Sequence, residues 1–346
     1  FTLIVFQNNK LMELKWDETE KYAIPHTITE AHIWSSSTLY NLEQRNLRKH
    51  WFENFKQKNK TFFTENILTF HKNTHPENEN YGLVINRNNS IKTVSITQLF
   101  SQNNKIEMTY IDIINNEKIE KIYTTDLFIE PPSWWESHCK DVDIVIHLAW
   151  YVEHGRYLHA IENIDCLHGT LSLAKGAAAA GIKRFIGIGT CLEYKLGSEV
   201  LSKNTPLDPL TPYAAAKAAT YSTLTHYFKS LAITFSWCRL FYLYGEGEDK
   251  QRLHAYLKTQ LAAGKVANLS DGSKIRDFLD VKVAAEKIIE IALKPKAGAT
   301  NICSGIPVSI KEFAESVADE YGRRDLLLFD TKAPHSFDPP VIVGQP

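Results

Sequence analysis

Gly189-Thr190-Cys191-Leu192-Glu193-Tyr194, then a polar loop with prolines, then Pro212-Tyr213-Ala214-Ala215-Ala216-Lys217 form the stretch from which this chain's fold can be read. Tyr213 and Lys217 are four positions apart, so on a helix they share one face. An ammonium beside a phenol favours the phenolate, which should lower the Tyr213 pKa and equip it for proton exchange. Thr190 closes the apolar run from Arg184 to Gly189, which reads as a buried parallel strand. Its hydroxyl is expected at the strand's carboxyl end, where open α/β sheets bind ligands. A hydroxyl, a tunable phenol and an ammonium together suit hydride transfer at a carbinol carbon.

Taken alone, Tyr-x-x-x-Lys also describes a solvated helix pair. Its context argues otherwise, because Val142 to Ala149 upstream and Phe235 to Gly247 downstream read as further buried strands. With these marks the sequence resembles the extended short-chain dehydrogenase/reductase family, in its NAD-dependent epimerase/dehydratase branch acting on nucleotide sugars. The carriers are His147-Leu-Ala149, Thr190-x-x-x-Tyr194, Tyr213-x-x-x-Lys217, Arg239-x-x-x-x-Tyr244-Gly245, Arg276-Asp277-Phe278 and Asn301-x-x-Ser304-Gly305. The resemblance covers residues 121 to 346, with the substrate-binding portion at 245 to 346. It implies Thr190, Tyr213 and Lys217 as catalytic residues. It implies Asp126, Leu127, Ala149, Tyr213, Lys217 and Phe241 for the cofactor, NAD or NADP. Tyr242 and Arg276 would meet the nucleotide-sugar substrate, Arg276 through its diphosphate.

Composition changes near residue 125. Before it stand 17 Asn, two Ala and one Gly; after it only four Asn, every Cys and the other fifteen Gly. The first part reads as strands and two helices. Thr2 to Phe6 and Leu11 to Trp16 flank Gln7-Asn-Asn-Lys10, a hairpin turn. Asn41 suits the cap of a helix carrying Leu47, Trp51, Phe52 and Phe55, and a second helix is expected about Thr64 to His71. Residues 81 to 86, 92 to 97, 106 to 112 and 118 to 123 alternate like antiparallel strands with one wet face.

This segment resembles the carboxyl-terminal part of the NRDE family, related to transport and Golgi organisation proteins. The carriers are Trp34 to Tyr40, Arg45 with Arg48, Ile67 to His71, Gly82 to Arg87 and Lys92 to Thr97. That family's Cys nucleophile has no counterpart in this sequence. Ser35, Ser36 and Ser37 read as turn hydroxyls, and His26, His32, His71 and His75 as surface or satisfied core histidines.

The expected architecture is therefore α/β: a truncated Rossmann-like, doubly wound parallel sheet over residues 121–346, preceded by an α+β segment with antiparallel strands over 1–120. A complete family member would open with a strand, a glycine-rich turn and a helix N-terminus that holds a pyrophosphate. Gly82 is the only glycine before Gly155, so no such turn can be read here. Cys166 stands where the family has an Asn, and Cys191-Leu192 where its dehydratases carry an Asp-Glu pair. These features imply a 4-epimerase or 4-keto reductase rather than a 4,6-dehydratase. The alternatives are an NRDE-like binding protein or an inactive join of two gene pieces.

A formal net charge of −1 gives no footprint for nucleic acid or anionic membrane. Five scattered cysteines without Cys-x-x-Cys suggest reduced thiols in a cytoplasm, and neither a disulfide framework nor a zinc site. No apolar run approaches a membrane span, and the opening Phe1 suggests a fragment or processed product. A nucleotide sugar is the expected small-molecule partner, with a homodimer open as the assembly.

Overall fold

The computed structural model describes the chain apart from residues 1, 8, 17, 18, 36–38, 60, 73–77, 79, 88, 89, 103, 104, 116, 198, 199, 295 and 332–338. Ser36, Ser37 and His75, named above, lie outside the described residues. The chain divides into two compact units, Phe1–Thr125 and Asp126–Pro346.

In the first unit β1 (Thr2–Gln7), β2 (Lys10–Trp16) and β3 (Lys21–His26) form an antiparallel sheet. The β1–β2 turn uses a left-handed Asn9, φ 57°. α1 (Leu42–Lys58) starts at a reciprocal cap, in which the Asn41 side chain accepts from Gln44 N–H and Gln44 answers to the Asn41 N–H. α2 (Thr64–Lys72) follows, and Phe52, Phe55 and Phe70 cluster between the two helices. The short strands β4 (Asn86–Arg87) and β5 (Ile91–Lys92) pair with each other. β6 (Ser95–Gln102), β7 (Lys105–Asp112) and β8 (Glu117–Tyr123) make a second antiparallel sheet.

Two expectations for this unit need correction. Tyr81 to Ile85 is turn and bend rather than strand, because Arg48 reaches in and takes the carbonyls of Tyr81 and Gly82. The second is an omission: β3, which contains Pro25, is not among the expected strands; it lies at the edge of its sheet, where proline is tolerated.

The second unit opens with α3 (Pro132–His138). β9 (Ile144–His147), α4 (Glu162–Ala179), β10 (Arg184–Thr190), α5 (Pro212–Ser230) and β11 (Thr234–Leu240) then alternate as parallel crossovers. β12 (Tyr242–Tyr244), α6 (Leu253–Ala262), β13 (Ala267–Asn268), β14 (Ile275–Arg276), β15 (Phe278–Asp280), α7 (Val281–Leu293) and β16 (Gly298–Ile302) come next. β17 (Val308–Ser309), α8 (Ile310–Asp319), β18 (Leu327–Leu328) and β19 (Val341–Ile342) complete it.

The main sheet runs β16-β11-β10-β9, all parallel, and β9 is its edge among the described residues. β10 is buried along its whole length, and alternation assigns its side chains to two layers. Phe185 packs with Leu173 and Ala177 of α4 and Leu224 and Phe228 of α5. Ile186 and Ile188 pack with Ala284, Ile288 and Ile291 of α7. Helices thus cover both faces. Phe235 to Gly247, expected as one strand, breaks at Phe241: β11 stays in the main sheet and β12 pairs with β15 instead.

Gly187 and Gly189 in β10 make room for one side chain. A Cβ at Gly187 would lie 2.4 Å from the Trp237 ring, and one at Gly189 2.2 Å from its Nε1. Only glycines let the indole cross the strand here. Among the described residues no helix is long and apolar enough to cross a membrane, and no group of three His, Cys, Asp or Glu could hold a metal ion.

Candidate active site

β10 delivers Thr190 to the carboxyl end of the sheet, and the chain turns at once into a short 3-10 helix, Cys191–Glu193. Thr190 caps that turn: its hydroxyl accepts from Leu192 N–H at 3.3 Å while Glu193 Oε1 accepts from Thr190 N–H at 2.8 Å. The Thr-x-x-Glu spacing was the sequence signal for this arrangement. Glu193 is fully buried and also accepts from Trp237 Nε1 at 3.0 Å and Arg239 Nε at 2.8 Å. Burial pushes its carboxyl up against the pull of Arg239, and with three donors converging on it the carboxylate is the form they fit. Arg239 Nη1 donates to Tyr194 Oη at 3.2 Å, and Tyr194 Oη donates to Asn301 Oδ1 at 2.7 Å. This buried network fixes Thr190 from below.

Thr211 caps α5 through Ala214 N–H, and Pro212 occupies its first turn, so Tyr213 and Lys217 fall on the face turned to β10. The Tyr213 phenol lies beside the Thr190 hydroxyl, near enough for each to feel the other. Its ring meets Tyr157 edge-on at 4.9 Å and Trp150 at 6.5 Å. Lys217 is buried, and its Nζ donates to the Ile188 carbonyl at 2.7 Å.

The electrostatics differ from the expectation that Lys217 lowers the Tyr213 pKa. Burial, first, and the neighbouring Tyr157 push the Tyr213 phenol well above its usual value, with the Thr190 hydroxyl acting the other way. Burial pushes Lys217 down to about 7, opposed first by the charge of Glu193. Tyr213 is therefore held as a proton donor at neutral pH, while Lys217 is poised to titrate.

This sets a stability prediction. Between about 7 and the ordinary lysine pKa of 10.5, the unfolded chain keeps a proton that native Lys217 has lost. Stability relative to the Lys217→Met variant should accordingly rise with pH across that window, by up to about 1.4 kcal/mol per unit, and flatten on either side. Denaturant unfolding of both proteins from neutral to alkaline pH measures it; parallel curves would refute the burial of a titrating lysine.

The remaining expected residues form two groups. Arg276 is buried, lies over the Tyr242 ring at 5.3 Å, and its charge is felt at Cys191. Phe241 packs with Cys191, Tyr194 and Cys303, with Tyr213 and Tyr242 at the border of the same cluster. These three thus adjoin Thr190 and Tyr213. Ala149 follows β9, half-buried. Asp126 and Leu127 are exposed; the Asp126 carboxylate accepts from Phe128 N–H at 2.8 Å, capping a 3-10 turn that packs on α4. The strand before Asp126 is β8 of an antiparallel sheet, so Asp126-Leu127 does not close a strand of the parallel sheet as the resemblance implied. Sequence reasoning missed Trp150, Tyr157, Asn163 and Trp237, all within reach of Tyr213 or Lys217 through the contacts described here and below.

With this geometry the comparisons with known proteins can be read. The model of the NAD dependent epimerase/dehydratase family matches residues 85–303. The chain belongs to this family. The match reaches back to residue 85, earlier than the expected 121, and so takes in the β6-β7-β8 sheet. A putative UDP-arabinose 4-epimerase of Arabidopsis thaliana is 25% identical, over 67% of this chain and 56% of its own length. The chain thus spans little more than half of that relative. A dTDP-6-deoxy-L-talose 4-dehydrogenase of Aggregatibacter actinomycetemcomitans is 24% identical, over 59% and 76%. Among solved structures, a UDP-N-acetylglucosamine 4-epimerase from Methanobrevibacter ruminantium superposes with a TM-score of 0.59 at 22% identity, covering 64% of this chain and 73% of its own. The UDP-glucose 4-epimerase of Thermus thermophilus, solved with NAD, gives 0.57 at 20%, covering 64% and 75%. These superpositions establish a Rossmann-like α/β fold.

The residues present can be tested against the family's cofactor. At the reacting end they fit: Thr190, Tyr213 and Lys217 converge at the carboxyl end of β10. At the pyrophosphate end they do not. Among the described residues the parallel sheet stops at β9, and no glycine-rich turn precedes it in the sequence.

Proposed function

We propose that the chain acts on a nucleotide sugar as an NAD(P)-dependent 4-epimerase or 4-keto reductase. The observation that carries this reading is that the Thr190 hydroxyl and the Tyr213 phenol lie close enough to influence each other at the carboxyl end of β10, with Lys217 one helical turn further on. In it, Thr190 holds the sugar's 4-hydroxyl, and Tyr213 passes a proton to and from that oxygen. Hydride uptake and return is the chemistry a nicotinamide would supply there. Arg276, stacked over Tyr242 and buried, would meet the diphosphate. The two curated relatives, a 4-epimerase and a 4-dehydrogenase, support the same carbon.

Dehydration to a 4-keto-6-deoxy sugar needs a further acid and base, and Cys191 and Leu192 occupy the relevant turn. Burial pushes the Cys191 thiol up to about 12, so it stays protonated and is no base near neutrality. Incubation with several nucleotide hexoses and NAD should give the 4-epimer, or a nucleotide 4-keto sugar with NADH or NADPH should give the 4-hydroxy product. A robust ultraviolet absorbance in alkali from a 4-keto-6-deoxy sugar would refute the assignment.

As the alternative reading, residues 1–120 have, on the resemblance alone, an NRDE-like binding role without chemistry of their own. Five free, buried thiols support a reducing, cytoplasmic setting, and a homodimer is the proposed assembly.

A further inference from the structure

Lys217 has a second contact that the proposed chemistry leaves unused. Its Nζ lies 3.8 Å from the centroid of the Trp150 ring, with the Trp237 ring further off at 6.0 Å. Trp150 follows directly on Ala149 beyond the end of β9, and it is buried. Its position is not left to packing: Nε1 donates to Asn163 Oδ1 at 2.8 Å. Asn163, fully buried at the start of α4, spends its amide hydrogens on the carbonyls of Tyr157 at 2.6 Å and Ala160 at 2.9 Å. With both ends of the amide engaged, Asn163 is fixed and the indole with it. A cation held over an indole face is attracted by the ring quadrupole, most strongly where water is excluded.

We propose that Trp150, clamped by Asn163, is a positioning residue that holds the Lys217 ammonium as a cation against β10. It rests on the reading of Lys217 as part of the reacting site. The other groups facing Lys217 are Glu193, whose negative charge favours the ammonium, the Cys166 thiol, which burial keeps protonated and uncharged near neutrality, and His147, whose protonated form the ammonium opposes. Burial works against the ammonium, and the indole face is a neutral group that works for it without carrying a titrating charge. Trp150→Leu keeps the pocket apolar and deletes the quadrupole. Lys217 should then lose its proton at lower pH, by about half to one and a half units. Trp150→Phe keeps only a weaker face and loses the Asn163 clamp, so its midpoint should fall between those of the unsubstituted protein and Trp150→Leu.

The test is lysine-selective carbon-13 NMR of the whole chain across pH, the Lys217 ε-methylene being identified by its loss in Lys217→Met. The unsubstituted protein should show that methylene shifted upfield by the indole ring current, with a midpoint near neutrality. Trp150→Leu should return the shift to the ordinary lysine position and lower the midpoint. An unsubstituted protein with no upfield lysine methylene overturns the proposal without any variant, as does a Trp150→Leu spectrum with shift and midpoint unchanged. If Trp150→Leu does not fold, the spectra of the unsubstituted protein and Trp150→Phe still decide. None of these readings needs turnover. The signature present without activity would defeat the proposed reaction alone; activity without the signature would defeat the positioning role alone.

Discussion

Replacing Tyr213 by Phe should cut turnover roughly 10²- to 10⁴-fold while leaving sugar-nucleotide affinity nearly unchanged. The substitution removes one oxygen, the one beside the Thr190 hydroxyl, and keeps the ring that packs against Tyr157 and Trp150. A loss confined to turnover would identify a proton-transfer group. A matching loss of affinity would identify a binding group, and little loss of either would remove Tyr213 from the chemistry. The comparison should be made with NAD raised until turnover stops increasing, with sugar-nucleotide binding measured by calorimetry. Because burial holds the phenol above its usual value, the phenolate is scarce at neutral pH. The direction that withdraws a proton from the sugar should therefore speed up as pH rises through neutrality.

NAD and NADP in either redox state should bind this chain orders of magnitude more weakly than they bind a family member with a glycine-rich turn. Such a turn and its helix N-terminus present several hydrogen bonds to a charged pyrophosphate, each worth about 1.5 to 3 kcal/mol. Here Gly82 is the sole glycine before Gly155, and the described parallel sheet has β9 at its edge. Fluorescence titration with NADH and NADPH is the direct measurement. Micromolar affinity would mean that the pyrophosphate is held by groups other than those a glycine-rich turn provides.

The parallel half of this molecule was legible because its signals are local and agree with one another. Phe185 to Gly189 is apolar throughout and too short for a helix, and so reads as a strand covered on both faces. Once β10 was placed, the carboxyl-end rule brought Thr190 to Tyr213 and Lys217. The charge balance at the site was not legible, because it depends on burial by residues far away in sequence. Nothing in Tyr213-x-x-x-Lys217 announces that Trp150 will cover the ammonium or that Tyr157 will crowd the phenol. Residues 81–85 misled for a related reason. Their alternation suits a strand, but Arg48, 33 positions earlier than Tyr81, takes the carbonyl a partner strand would need. α7 was overlooked although Asp280 caps it through Lys282 N–H, a signal that was available.

The network beneath Thr190 also orders events in time. Glu193 waits 46 positions for Arg239, Tyr194 waits 107 for Asn301, and Asn301 waits a further 44 for the Gln345 carbonyl that its amide donates to. Asp277, which accepts from Ser304 and Gly305, gains a further donor at Gly344 N–H, 67 positions on. Contacts of such long range form late, and a chain emerging from the ribosome at about 5 to 20 residues per second adds seconds to each wait. Until β11 arrives the Glu193 carboxylate stays hydrated, and until β16 arrives Tyr194 lacks its acceptor. The polar floor of the site is thus the last part of the second unit to be committed, and damage near residue 344 should be felt at Thr190, more than 150 positions upstream.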